Sequence, residues 1–266
     1  MVFGRKNEDE ESDSKEVAKT VGGDLALDNL ERPDYIGTEG KGSEEVKHED
    51  LTIPRIDVFQ SLSPQCTDGN PAYDPDAKVG MLFNSLTGEK YGDAIIMVPT
   101  YFRKEWLAWR LRKHGGGFRG AYPSEAIAAT EIGKMEDAAL VEVQETHQQF
   151  ALIVSQGAEE GRKKVEEVVI SCARSKLRPS KQLNSLVLMS GDDRFARMYE
   201  LGTIRVDGQE GEYQNLTIRQ LGFAPEELYI AAERSYEAIV GGTRDVNRDY
   251  DDDEPGRPRQ EGEAEY

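Results

Sequence analysis

Thiols and imidazoles are scarce. The chain has 2 cysteines and 3 histidines in 266 residues. Cys66 and Cys172 stand far apart, outside any CxxC or Cys/His cluster, as do His48, His114 and His147. This spacing excludes a disulfide framework or a structural zinc site and fits a reducing, cytoplasmic setting. No stretch approaches the roughly 20 apolar residues that span a bilayer. The opening "MVFGRKNEDEESDSKEV" lacks the apolar core of a signal peptide. Recognisable catalytic spacing is missing too. The glycine-rich "HGGGFRG" lacks the GK[ST] ending of a phosphate-binding loop and does not follow the dinucleotide pattern. Asp57, Asp74, Asp76 and the pair in "SGDDRF" form no metal or acid–base pattern, and adjacent aspartates are usually turn formers. The expectation is a non-catalytic protein without cofactor, metal or membrane partner.

Positive charge is also in short supply, with 33 Lys and Arg against 51 Asp and Glu, a net charge of −18. The deficit is unevenly spread. Residues 1–50 carry 15 acids and 7 bases, and residues 244–266 carry 9 acids and 4 bases. Both ends have few large apolar residues and read as disordered. The expected organisation is an acidic arm over 1–50, a folded domain over 51–242 and an acidic tail over 243–266.

The middle region changes pattern. "LTIPRIDVFQSLSP" reads as an extended entry strand, and "NSLTGEKYGDAIIMV" as a hairpin with Pro99 at a bulge or edge. Short helices are expected over "YPSEAIAATEI", "PSKQLNSLVLMS" and "APEELYIAAERSYEAIVGG". Residues 139–156 read as two strands, "KVEEVVISCA" as another, and 195–223 as a hairpin around "DGQEGE". The pattern predicts an α+β, mainly β domain. Its centre is a strongly bent antiparallel sheet or small barrel with two or three peripheral helices.

Against the acidic background one segment stands out. "FRKEWLAWRLRKHGGGFRG", residues 102–120, holds six Lys or Arg, four aromatic rings and a single acid, Glu105. As a strand it places Phe102, Lys104, Trp106, Arg110 and Arg112 on one face, rings interleaved with cations. Such a face suits unpaired nucleic acid, because rings stack on bases while cations neutralise phosphates. As a helix, Phe102, Trp106 and Trp109 would form a buried stripe and the function would vanish. Lys113, Phe118 and Arg119 extend the candidate surface, although the glycines between them can be a plain turn.

"CARSKLRPSKQL" is a second cationic island, with Arg174, Lys176, Arg178 and Lys181 and no acid. A solvated helix start explains such a run, yet bases there oppose the helix dipole unless an anion binds. The tail "DYDDDEPGRPRQEGEAEY" is either a solubilising segment or a polyanion that competes with nucleic acid for the basic face.

Cationic and aromatic strands followed by an acidic tail with a terminal aromatic residue resemble the single-stranded DNA-binding proteins of bacteria and T7-like phages. "IPRIDVFQSLSP", "GMLFNSLTGEKYGDAIIMVPTYFRKEWLAWR" and "GGGF" are also similar to a family of phage replication-region proteins. The resemblance implies a phage protein with an OB-fold that protects single-stranded DNA in replication or recombination. It implies that Asp251, Asp252, Asp253, Glu254 and Tyr266 recruit replication proteins such as DNA polymerase or helicase-primase. A homodimer is compatible with the sequence. A virion assembly protein and a metal-dependent replication enzyme are the alternative readings.

Overall fold

The computed structural model describes residues 41–47, 51–156, 163–208, 211–243 and 245–246. The chain divides into two units, Met1–Val46 and Lys47–Tyr266. In the first, residues 41–46 are exposed turns. The remaining architecture belongs to the second. The acidic arm over residues 1–40 and 48–50, and the tail beyond Val246, lie outside the described residues.

Among the described residues, nine strands and three α-helices follow in order. A small antiparallel sheet comprises β1 (Ile56–Val58), β2 (Leu82–Asn84) and β3 (Lys90–Gly92). Asn84 makes the β2–β3 turn, its Oδ1 accepting from the backbone N–H groups of Leu86 and Thr87 at 2.9 and 3.1 Å. The large sheet contains β4 (Ala94–Arg110), β5 (Phe118–Tyr122), β6 (Val141–Gln156), β7 (Lys163–Ala173), β8 (Arg197–Gly208) and β9 (Gly211–Phe223). Helix α1 is Glu125–Ile132, α2 is Leu177–Ser190 and α3 is Glu226–Val240. The mainly β, α+β reading of the sequence holds.

The long strands run in the spatial order β7-β6-β4-β8-β9, all pairs antiparallel, with β5 beside the far end of β4. β4, β6 and β7 follow one another, and the connection carrying α2 returns β8 to the other side of β4. That is a Greek key, with β9 added by a hairpin. Residues 141–156 form a single strand where the sequence suggested two. β4 on one side and β7 on the other hold it continuous.

One core cluster draws on both ends of this order. Val168, Ile170 and Cys172 of β7 and Leu216 of β9 join Met97, Ile153, Tyr199 and Leu201. The small sheet contributes Ile56, Val58 and Leu82, and α2 contributes Leu183. The sheet therefore bends around this core, and α2 lies between its two ends. Gln182 of α2 donates to the Ile218 carbonyl of β9 at 3.2 Å. The outer edge of β7 is met at one point, where Val169 donates its N–H to the Pro54 carbonyl at 2.9 Å. On the opposite face α3 packs Ala232 against Val98, Leu152 and Phe195. Helix α1 seals the β4–β6 extension through Ala128 and Ile132 against Ala108. Ser124 caps it, accepting from the Ile127 N–H at 3.2 Å.

Candidate nucleic-acid interface

A β-bulge decides which side chains meet on β4. Pro99 pairs with Ala151 and Tyr101 with Phe150, leaving Thr100 as the extra residue. Before the bulge, Ile95 and Met97 face the central core. After it the parity reverses. Phe102, Lys104 and Trp106 pair with Gln149, His147 and Glu145 of β6, on the side where Ala151 and Ile153 join that core. The strand reading of 101–113 holds through Arg110, and the interleaved face exists.

Its rings are half-buried. Phe102 meets the His147 ring edge-on at 5.0 Å, and the Arg194 guanidinium lies 5.6 Å from its centroid. Trp106 packs with Ala108, Ala128 and Ile132, its ring 4.4 Å from Lys104 Nζ. Lys104 also pairs with Glu145 at 3.0 Å.

The second cationic segment comes to the same place. Arg174 pairs with Glu142 of β6 at 3.3 Å, and Ser180 Oγ lies 2.9 Å from His147 Nδ1. Lys181 and Lys104 act together on Glu145 and His147. Segments some 70 residues apart in the sequence thus converge on one stretch of β6. Arg178 and Lys181 are exposed, with no hydrogen-bond or ion-pair partner among the described residues. Arg174 adopts φ 51°, a left-handed conformation that costs a non-glycine residue about 1 kcal/mol. Lys176 differs, for it bonds to Asp57 of the small sheet at 2.6 Å.

The far end of β4 departs from the expected arrangement. Phe118 stands beside Trp109, with centroids 5.1 Å apart, and pairs with it across the strands. Alternation puts that pair on the side opposite Trp106. Arg110 and Arg119 both turn to Asp137, at 3.5 and 3.0 Å. Gly115, Gly116 and Gly117 have φ of 99°, 66° and 110°, so the glycine run is required by a tight turn. Lys113 is exposed beside it, and the Arg112 side chain lies outside the described residues. Asp251, Asp252, Asp253, Glu254 and Tyr266 also lie outside them.

Beneath the exposed groups is a polar layer that fastens α2 to β6. His147 is 3% exposed and Ser180 2%, so neither hydroxyl nor imidazole reaches solvent freely. His147 Nε2 lies 3.0 Å from Glu145 Oε1, and Gln149 Nε2 donates to Ser180 Oγ at 2.8 Å. The order hydroxyl–imidazole–carboxylate matches that of hydrolase triads, but here it is closed beneath a helix and acts as a latch. Burial pushes the His147 imidazole below its ordinary range, outweighing Glu145. The Lys104 hydrogen bond holds Glu145 below the usual carboxylate range. Cys66 and Cys172 are free thiols, and burial raises Cys172 to about 12, which leaves it unreactive. Among the described residues there is no cluster of three His, Cys, Asp or Glu suited to a metal, and no helix long and apolar enough to cross a membrane.

A family model described as Pam3 phage gp34-like protein matches residues 26–245. The chain belongs to that family. A search of curated proteins and a search of solved structures found no match. The Pam3 gp34-like match spans the Greek-key sheet, the helices α1 to α3 and both cationic segments.

Two functional candidates escape a reading of the sequence of this Pam3 gp34-like chain. Arg194 sits in "SGDDRF", where its acidic neighbours draw attention away from it. Its guanidinium donates to Asn184 Oδ1 at 2.8 Å and to Gln149 Oε1, and burial pushes it down to about 10. Thr100 is the second. Pro99 signals the bulge that carries it, but nothing local shows where its hydroxyl points.

Proposed function

We propose that this phage-family protein binds single-stranded DNA without catalysing a reaction on it. The observation that carries the reading is the meeting of residues 102–106 and 174–181 on one stretch of β6. There Phe102 and Trp106 offer half-exposed rings and Lys104, Arg174, Arg178 and Lys181 offer cations. The ion pairs to Glu145 and Glu142 are partly exposed and worth about 0–1 kcal/mol each, so a polyphosphate displaces them at small cost. A five-strand Greek key is also the plan of the OB-fold, which binds oligonucleotides on its second and third strands and adjoining loops. In this chain those strands correspond to β6 and β7.

On this reading the acidic tail has two roles. It competes with DNA for the cationic face, and through Asp251, Asp252, Asp253, Glu254 and Tyr266 it offers a docking segment for replication proteins. That explains why so acidic a chain gathers cations and rings in one place.

Tryptophan fluorescence titrated with oligo-dT at two salt concentrations tests the proposal. Trp106 borders the interface and Trp109 faces away, so Trp106→Phe removes the quenching and Trp109→Phe retains it. A saturable quench that weakens steeply with salt is expected. A flat trace at low salt, with stable oligomers, favours the assembly reading instead. Divalent-cation-dependent turnover of DNA favours the enzyme.

A further inference from the structure

Beside the β4 bulge lies a cavity of about 350 Å³, lined by Thr100, Tyr101, Arg194, Glu233, Tyr236 and Glu237. It sits where the edge of β4 is bare. β8 pairs with residues 94–97 and β5 with 106–109, so among the described residues no strand covers the interval between. Bulges recur next to functional sites because they redirect a side chain.

Two buried polar atoms of the lining residues have no hydrogen-bond partner among the described residues, Thr100 Oγ1 and Arg194 Nε. Thr100 is 1% exposed. An orphaned hydroxyl at such burial calls for a partner, since leaving it unmet is destabilising. Arg194 has no carboxylate at ion-pair distance among the described residues. Its bonds go to the amides of Gln149 and Asn184. The rest of the wall is of opposite character. Glu233 and Glu237, one turn apart on α3, are exposed and unpaired among the described residues, and Asp193 also lines the cavity. Three rings complete it: the Tyr236 centroid lies 6.2 Å from Tyr101 and 6.0 Å from Phe195.

This mixture discriminates among ligands. A phosphate meets three carboxylates. A simple cation meets Arg194 and leaves its Nε–H and the Thr100 hydroxyl unmet. A neutral aromatic heterocycle with acceptors on one edge and donors on the next satisfies both walls and stacks on the tyrosines. Arg194 also lies 5.6 Å from the Phe102 ring, so a single side chain borders both the cavity and the candidate DNA face.

We propose that this cavity holds a single unstacked nucleobase of the bound strand, guanine by preference. Guanine presents O6 and N7 to an arginine and its N1–H and amino group to a carboxylate. The proposal rests on the single-stranded DNA reading and assigns it a sequence preference. Single-strand readers bind splayed bases in this manner, by ring stacking and edge hydrogen bonds.

The test compares an oligo-dT of about 16 nucleotides, the upper end of a single OB site, with the same oligomer carrying one central guanine, hypoxanthine or adenine. Guanine is expected to tighten binding about tenfold. Hypoxanthine, which lacks the amino group, recovers only part of that gain, and adenine none. Thr100→Val and Glu237→Gln are expected to collapse the guanine-to-thymine ratio. Thr100→Val at the same time leaves the melting temperature unchanged or higher, because it removes an unmet hydroxyl. Equal affinity for all four oligomers overturns the proposal, as does a ratio that survives both variants. If no oligomer binds, the DNA reading fails, and the cavity is then judged with free guanosine. A thermal shift that Thr100→Val abolishes supports a base site, and no shift overturns it.

Discussion

Ser180 Oγ lies 2.9 Å from His147 Nδ1, and this contact joins the helix that carries Arg178 and Lys181 to the strand that faces Lys104 and Trp106. The latch is titratable. The folded protein holds the His147 proton more weakly than the unfolded chain, whose imidazole titrates near 6.5. Its contribution is therefore complete above pH 6.5 and is lost as pH falls through the depressed folded value. Glu145, Lys104 and Lys181 are the charged groups that face it. Thermal unfolding followed by circular dichroism should show the melting temperature falling between pH 7 and pH 5. His147→Gln should flatten that slope. An unchanged slope in the variant refutes the assignment.

Arg174 gives a prediction in which stability and binding move in opposite directions. Its φ of 51° suits glycine, so Arg174→Gly should raise stability by up to about 1 kcal/mol. The exposed pair to Glu142 that it loses is worth less. The same change should weaken oligo-dT binding several-fold at low salt. Denaturant melts and fluorescence titration on the one variant measure both. A drop in stability, or unaltered affinity, contradicts the role given to Arg174.

Salt dependence separates the phosphate contacts from the cations already engaged elsewhere. Lys181→Gln or Arg178→Gln should each reduce the slope of log K against log salt by about 0.7, the value for one phosphate on a single strand. Lys176→Gln, whose side chain is bound to Asp57, should leave the slope unchanged and lower stability slightly.

Truncation of the tail must respect the core. Val246 is 6% exposed and packs with Ile53, Phe150, Val169 and Ile239, and Asp245 bonds to Arg103 at 2.5 Å. A chain ending at Val246 should keep its melting temperature and bind oligo-dT several-fold more tightly, because the competing polyanion is gone. A chain ending at Thr243 should melt earlier. Equal DNA affinity with and without residues 247–266 removes the autoinhibitory role.

The sequence displayed most of the elements because their signals are local. The "YPSEAIAATEI" pattern marked α1, and alternation marked β8 and β9. Long strands were harder. Residues 141–156 read as two strands because the polar Glu145, His147, Gln148 and Gln149 interrupt the apolar pattern. Three of these are among the buried polar groups, and their partners come from α2 and β7. The cationic face was legible from period-two spacing alone. Its convergence with residues 174–181 was not, because it depends on a Greek-key crossover. The Asp137 bridge to Arg110 and Arg119 and the Asp57 bond to Lys176 are long-range pairings that no local pattern records. Val246 likewise gains its burial largely from the distant Ile53, Phe150 and Val169, although the segment around it reads as solvated.

The extra residue at position 100 lets β4 carry one more amino acid than β6 across the same span. Excising it would leave Pro99 opposite Ala151 and Tyr101 opposite Phe150 in an unbroken ladder. Phe102, Lys104 and Trp106 would keep the partners and the face they have now. What would go is the local bend that a bulge imposes, together with the one hydroxyl it carries. A one-codon deletion thus parts two neighbours, sparing the candidate cationic face and reshaping the cavity beside it.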